Sequence, residues 1–160
     1  MTYNPKDKPS TIAIIALCLS IVTAIFSGFQ WWNGQRESRI AAAVDISKNF
    51  VRSQDPKIPE SLFALTSGKD LNSERLTVVF RAIGEAEYLA YLTNRDRVDF
   101  EYLSQAVKCH MYGAAMLTPK FRSVATFVVE LTELPKIAPR LAGLCDADFK
   151  LFMKQTGATN

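Results

Sequence analysis

The sequence predicts an all-α protein, in which one N-terminal transmembrane helix is followed by a small helical domain of about four to five helices. Three observations lead to this fold class. A long uncharged apolar segment lies near the N-terminus, apolar residues recur at three-and-four spacing after it, and no alternating run is bounded by hairpin turns. The length of 160 residues leaves room for one such domain.

The transmembrane helix is predicted from the apolar segment. The chain from Pro9 to Gln35 contains no Asp, Glu, Lys or Arg, and the stretch Ile12 to Trp32 is predominantly apolar. At about 1.5 Å per residue, this stretch is roughly 31 Å long and matches the hydrocarbon core of a bilayer. Aromatic residues at its C-terminal end resemble an interfacial belt. The predicted division is an N-terminal flank (1–10), a transmembrane helix (11–32) and a helical domain (33–160).

A cleaved secretory signal is the competing interpretation of this segment. Lys6 and Lys8 precede it, as the positive region of a signal would. The apolar stretch is longer than the usual signal core of about 7 to 15 residues, and no small-x-small cleavage site precedes its bulky Phe29 to Trp32 end. We therefore expect the helix to be retained in the membrane.

The flanking basic residues predict a cytoplasmic domain. The side of the membrane with more Lys and Arg near the helix is usually inside. Two basic residues, Lys6 and Lys8, precede the helix, and four follow it: Arg36, Arg39, Lys48 and Arg52.

The cysteines leave the compartment open. Cys18 lies in the apolar stretch, while Cys109 and Cys145 fit either two reduced thiols or one disulfide in an oxidising compartment.

The first part of the domain reads as three helices. Residues 36–52 form the first, and a short one starts near Pro59 within a connector rich in turn residues. A long helix runs from about Ser73 to Thr93, with Asp70 or Asn72 as its cap. This helix is the expected centre of the core, because its apolar residues recur at three-and-four spacing. They are Leu76, Val79, Phe80, Ile83, Ala86 and Ala90.

Cap and proline signals predict the remaining helices. After a turn near Asn94, Asp99 caps a helix that ends at about Tyr112. The pair Thr118–Pro119 opens another helix, which Pro135 stops, and Asp146 caps a last short helix.

A recognisable pattern is formed by the segment Phe80 to Leu89, the short break at residues 94–97 and the segment Val98 to Leu103. On these segments, the chain resembles an uncharacterised bacterial family of short single-span membrane proteins. It extends from the apolar helix to about Val107. The resemblance implies a membrane anchor with a cytosolic helical domain, and it implies no activity.

No residue constellation specifies a catalytic, cofactor or metal site. His110 is the only histidine, and it points about 100 degrees away from Cys109 on a helix, whereas a zinc site needs three or four converging ligands. Glu85 and Glu87 are two residues apart and share no helix face. Glu87 continues the core face of its helix, so we expect a structural tie to an arginine or to the Tyr91 hydroxyl.

Small residues recur every four positions along one face of the apolar helix: Ala16, Ser20, Ala24 and Gly28. Such a face lets a second helix approach closely, and it predicts helix packing in the membrane. The alternative is composition alone, because small residues are frequent throughout the stretch.

Two functions from different classes remain. The first is a membrane-anchored helical interaction module, an accessory or regulatory subunit whose partners are the bilayer and another protein or a second copy. The second is a membrane-tethered enzyme with a noncanonical site near Glu87 and His110. A pocket would favour the enzyme, and a flat face of exposed Tyr, Phe and Met would favour docking. The net charge of +3, scattered along the chain, argues against a nucleic-acid partner.

Overall fold

The computed structural model describes residues 11–53, 56–67, 72–124 and 131–155. These residues form helices and turns and contain no strand, so the predicted all-α class is confirmed. The N-terminal flank (1–10) and the predicted cap Asp70 lie outside the described residues. The elements are α1 (Thr11–Ser53), α2 (Lys57–Ser67), α3 (Ser73–Asn94), a 3₁₀ turn (Phe100–Tyr102), α4 (Gln105–Val124) and α5 (Leu134–Gln155).

The chain divides into two compact units, the first ending at Ser38 and the second beginning at Arg39. The first unit contains the apolar part of α1, whose side chains from Ile12 to Trp32 are all exposed. Among the described residues, α1 is the one helix long and apolar enough to cross a membrane, by length and composition. The second unit contains the rest of α1 and all later helices.

Helix α3 lies at the centre of the second unit, as predicted. Its N-cap is Asn72, whose side-chain oxygen accepts a hydrogen bond of 2.9 Å from the Arg75 backbone N–H. The predicted core face is confirmed at its small and branched positions, which are fully or nearly fully buried: Val79, Ile83, Ala86 and Ala90. The prediction for Phe80 is wrong, because this side chain is 42% exposed.

The predicted boundaries after α3 are wrong at two places. Asp99 caps only the 3₁₀ turn, accepting a hydrogen bond from the Glu101 backbone N–H, and α4 begins later at Gln105. The Thr118–Pro119 pair lies inside α4. The Thr118 hydroxyl donates back to the Ala114 carbonyl at 2.7 Å instead of capping a new helix.

The predicted signals for the last helix are also wrong. Pro135 is the second residue of α5 and does not stop a helix. Proline is tolerated there because the first backbone N–H groups of a helix have no partner within the helix. Asp146 lies within the same helix, where it accepts a hydrogen bond of 3.1 Å from the Tyr112 hydroxyl.

Candidate functional site

The small-residue face lies on the exposed apolar part of α1. Ala16, Ser20, Ala24 and Gly28 are all exposed. The Ser20 hydroxyl donates to the Ala16 carbonyl at 2.9 Å, so this polar group is satisfied within its own helix. A Cβ atom added at Gly28 would meet nothing within 4 Å. The surface is open in the single chain, and helix packing through it stays a prediction.

Glu87 forms a structural tie, as expected, but its partners differ from the predicted arginine or tyrosine. Its Oε1 atom accepts hydrogen bonds from the backbone N–H groups of Thr132 at 2.6 Å and Glu133 at 2.8 Å, and Oε2 accepts from Leu134 at 2.8 Å. The carboxylate thus caps α5 from another helix, where both the unpaired N–H groups and the helix dipole favour an anion. Both oxygens of Glu87 are engaged in this structural role.

A second contact joins the end of α3 to the start of α5. The Asn94 side-chain amide donates to the Glu133 carbonyl at 3.1 Å and to its carboxylate at 2.8 Å. The Lys136 ammonium lies 2.7 Å from the same carboxylate. Hydrogen bonds from Lys136 and then Asn94 lower the pKa of Glu133. The two contacts together fix where α5 begins.

A disulfide joins α4 to α5. Cys109 and Cys145 are bonded, with their Cα atoms 5.2 Å apart and a sequence separation of 36. Cys145 is fully buried and Cys109 is half-buried. The Gln105 amide lies 3.3 Å from the Cys109 sulfur and donates to the Leu144 carbonyl at 2.9 Å. Of the two alternatives that the sequence left open, the structure contains the bonded pair.

His110 is held in one tautomer beside this disulfide. Its Nε2 atom lies 3.2 Å from the Ala82 carbonyl oxygen, and because a carbonyl can only accept, Nε2 carries the hydrogen. The ring packs on Phe50 with 5.0 Å between ring centroids. Burial lowers the pKa of His110, partly opposed by the Ala82 hydrogen bond and by Glu85. Burial therefore favours the neutral ring, in which Nδ1 is a hydrogen-bond acceptor.

A cavity of about 200 Å³ lies next to His110. The disulfide and the His110 ring form part of its wall, and Asp148 is the one carboxylate that lines it among the described residues. Within the described part of the chain, no group of three His, Cys, Asp or Glu side chains converges as metal ligands would. The larger apolar side chains that line the cavity are Leu62, Ile83, Leu117, Phe149 and Phe152.

The structure does not bring Glu87 and His110 into one site. Glu87 caps the start of α5, whereas His110 lines the cavity, and Glu87 is not among the cavity's lining residues. A shared acid-base pair is thus without geometric support.

An exposed aromatic face runs along α3, beside the core face of the helix. We define it as Phe80, Gly84, Tyr88, Tyr91 and Arg95. Tyr88 and Tyr91 are 62% and 44% exposed, and their rings stack with centroids 6.5 Å apart. The Arg95 guanidinium lies 5.7 Å from the Tyr91 ring centroid. Sequence reasoning missed this face, although its residues recur at three-and-four spacing and form a second stripe beside the core stripe.

Comparisons of this chain with protein-family models, with curated proteins and with solved structures give no match. The fold itself defines a class: an all-helical domain that follows a helix long and apolar enough to cross a membrane.

Proposed function

We propose that this chain is a membrane-anchored helical interaction module, an accessory or regulatory subunit of a membrane complex. The observation that carries this proposal is the aromatic face of α3. Tyrosine and arginine are enriched at protein interfaces, where tyrosine supplies a large contact area at a low cost in side-chain entropy. Tyr88, Tyr91 and Arg95 already stack on one another in the single chain, which lowers that cost further.

The aromatic face leaves room for a partner side chain at Gly84. A Cβ atom added there would meet nothing within 4 Å, and the exposed rings of Phe80 and Tyr88 lie one helical turn to either side of it. An apolar anchor that packs between two rings is typical of the buried centre of an interface.

The membrane anchor in this proposal is the apolar part of α1, residues 11–32. Its apolar side chains are exposed from end to end, which a soluble monomer rarely tolerates over so large a surface. A lipid environment removes this cost, since hydrocarbon tails solvate apolar side chains.

The disulfide supports a location of the helical domain in an oxidising compartment, opposite to the cytoplasmic side that the basic residues favour. The basic residues are weak evidence at this distance, because Lys48 and Arg52 lie at the limit of the roughly 15 to 20 residues over which such charges act. With those two set aside, Arg36 and Arg39 only balance the Lys6 and Lys8 of the N-terminal flank.

The docking face is tested by crosslinking in membranes. A photoreactive benzoyl-phenylalanine at Tyr88 should crosslink to a partner subunit, and the combined Tyr88→Ser and Tyr91→Ser variant should lose that partner in a pull-down from detergent extracts. Tyr102→Ser is the matched control, because Tyr102 is 48% exposed but lies on the 3₁₀ turn, outside the aromatic face. Equal recovery of the partner with both variants would contradict the proposed face.

The anchor is tested by extraction. The wild type should stay in the membrane pellet after a carbonate wash, whereas replacement of Ile15, Leu19 and Val22 by Arg should release the chain. Each central arginine costs about 2.5 to 3.5 kcal/mol on insertion scales. Intact wild-type chain in the wash would rule out the anchor.

The small-residue face is tested by filling it. Changing Ser20 and Ala24 to Leu keeps the helix apolar but blocks close approach, while Leu19→Ile and Val22→Ile leave the small-residue face open. Membrane crosslinking to a second helix should be lost only in the first pair. If it survives in both, the anchor is a passive tether.

The orientation is tested with a reporter cysteine. Ser123 is exposed at the end of α4, so Ser123→Cys in a Cys18→Ala background offers one reactive thiol. An impermeant maleimide should label it on intact cells if the domain lies outside the cytosol. Labelling that requires permeabilised cells would restore the cytoplasmic assignment.

A further inference from the structure

We propose that the cavity beside the Cys109–Cys145 disulfide binds a small one- or two-ring aromatic molecule that carries a single hydrogen-bond donor, and that Nδ1 of His110 accepts that hydrogen bond. This site is separate from the aromatic face of α3, and the inference does not depend on the proposed docking function.

The size of the cavity sets the size of the ligand. Its volume is about 200 Å³. An apolar protein cavity of about 150 Å³ holds benzene, so this one accommodates one ring with a substituent or two fused rings.

The walls favour an aromatic ligand. Phe149 and Phe152 line the cavity, with ring centroids 6.4 Å apart and an interplanar angle of 32°. Tyr112 packs edge-on against Phe149 at 5.8 Å and holds that ring in place. Aromatic pairs gain energy beyond the area that they bury, so a planar ring is preferred over an aliphatic group of equal size.

The polar groups of the cavity select a donor and disfavour an anion. Among the described residues, the Ala82 carbonyl is the hydrogen-bond partner of His110, and it engages only Nε2. The neutral ring therefore offers an acceptor at Nδ1. Among the described residues, no lysine or arginine lines the cavity, and Asp148 adds a negative charge, so this part of the wall offers a carboxylate or phosphate ligand no counterion. An indole N–H or a phenol O–H meets both requirements.

Two features of α4 and α5 form the cavity before any ligand binds. The disulfide fixes the distance between the two helices, and both of its cysteines belong to the wall. Gly113 on α4 leaves the space in front of Phe149: a Cβ added there would lie 3.9 Å from the Phe149 Cδ2 atom, an ordinary contact. Any side chain at this position would take up part of the cavity, and one longer than alanine would take up more of it.

The experiment uses the full chain in detergent micelles, labelled with ¹⁵N-histidine. The chain has one histidine, so the imidazole gives a single pair of nitrogen signals. Titration with indole should shift the Nδ1 signal in a saturable manner. Indene, which has the same two rings without the N–H, should bind about five-fold more weakly, the factor expected for one hydrogen bond.

Matched glycine variants control for partition of the probes into the micelle. Gly113→Leu should abolish the saturable shift, whereas Gly143→Leu should leave it intact, because Gly143 lies on α5 outside the cavity with open space around it. Gly113→Ala is a milder test if the leucine variant does not fold, and it should weaken binding by narrowing the cavity. Three results would each overturn the proposal: no saturable shift with indole, equal affinity for indole and indene, or undiminished binding in the folded Gly113 variants.

Discussion

Removal of the Cys109–Cys145 disulfide is expected to lower the free energy of unfolding of the helical domain by about 4 kcal/mol. The two cysteines are separated by 36 positions in the sequence. In the chain-entropy model, closing a loop of this length removes roughly 13 cal/mol/K from the unfolded chain, which is about 4 kcal/mol at 25 °C. That value is a large fraction of the 5 to 15 kcal/mol typical of a whole domain.

The measurement is urea unfolding of the full chain in mild detergent, followed by far-ultraviolet circular dichroism. A small domain unfolds with a slope of about 1 to 3 kcal/mol per molar urea, so reduction should lower the midpoint by more than about 1 M. The slope should also rise, because an uncrosslinked unfolded chain exposes more surface.

The combined Cys109→Ala and Cys145→Ala variant separates the bond from other effects of the reductant. Its midpoint should match that of the reduced wild type and should not respond to further reductant. An unchanged wild-type midpoint on reduction would refute the reasoning, since it would show that the bond is absent or that the reduced chain keeps the same loop closed.

Three further predictions use the same unfolding assay. Glu87→Ala should lower the free energy of unfolding by about 1 to 3 kcal/mol, because it leaves the first N–H groups of α5 without an acceptor. Glu85 is exposed, so Glu85→Ala should change this free energy by less than about 0.5 kcal/mol. Equal losses of stability in the two variants would argue against the cap. Burial lowers the pKa of His110 in the folded state below its ordinary value of 6.5. As the pH drops below about 6.5, the unfolded state therefore binds a proton at His110 before the folded state does, and the free energy of unfolding should fall. This pH dependence should flatten in His110→Gln, and an identical profile in both proteins would exclude His110 as its source. Phe121→Ala should lower the free energy of unfolding by about 3 to 5 kcal/mol, because Phe121 is among the largest fully buried side chains. Phe63 is 44% exposed, so Phe63→Ala should lower it much less. Similar losses of stability in the two variants would contradict the assigned core.

The central helix was predictable because its signals are local. The cap Asn72 directly precedes the first turn of α3, and the regular spacing of apolar residues continues for the length of the helix. Phe80 was assigned wrongly because it lies at the edge of the core stripe, where periodicity alone does not separate a buried ring from a half-exposed one.

The boundaries of α4 and α5 depend on contacts that no sequence window contains. Proline often occupies the first position of a helix, yet Pro119 lies inside α4. The cap of α5 is Glu87, 45 to 47 positions earlier in the chain. The disulfide also depends on distant contacts. The sequence shows the two cysteines but not whether they are bonded, because only the packing of α4 on α5 brings their Cα atoms to 5.2 Å.

Helix α5 is held strongly at its start and in its middle, and this distribution bears on the cavity. Glu87 and Asn94 bind its first turn, and the disulfide joins it to α4 at Cys145. The cavity wall formed by Phe149 and Phe152 lies beyond that last covalent tie. Reduction should therefore weaken ligand binding as well as stability, because it removes the covalent tie to α4 next to the segment that carries both rings. Glu87→Ala, in contrast, should lower stability with little effect on the affinity for indole. If the disulfide organises the cavity, reduction should weaken indole binding and Glu87→Ala should not. If binding depends only on the overall stability of the domain, both perturbations should weaken it.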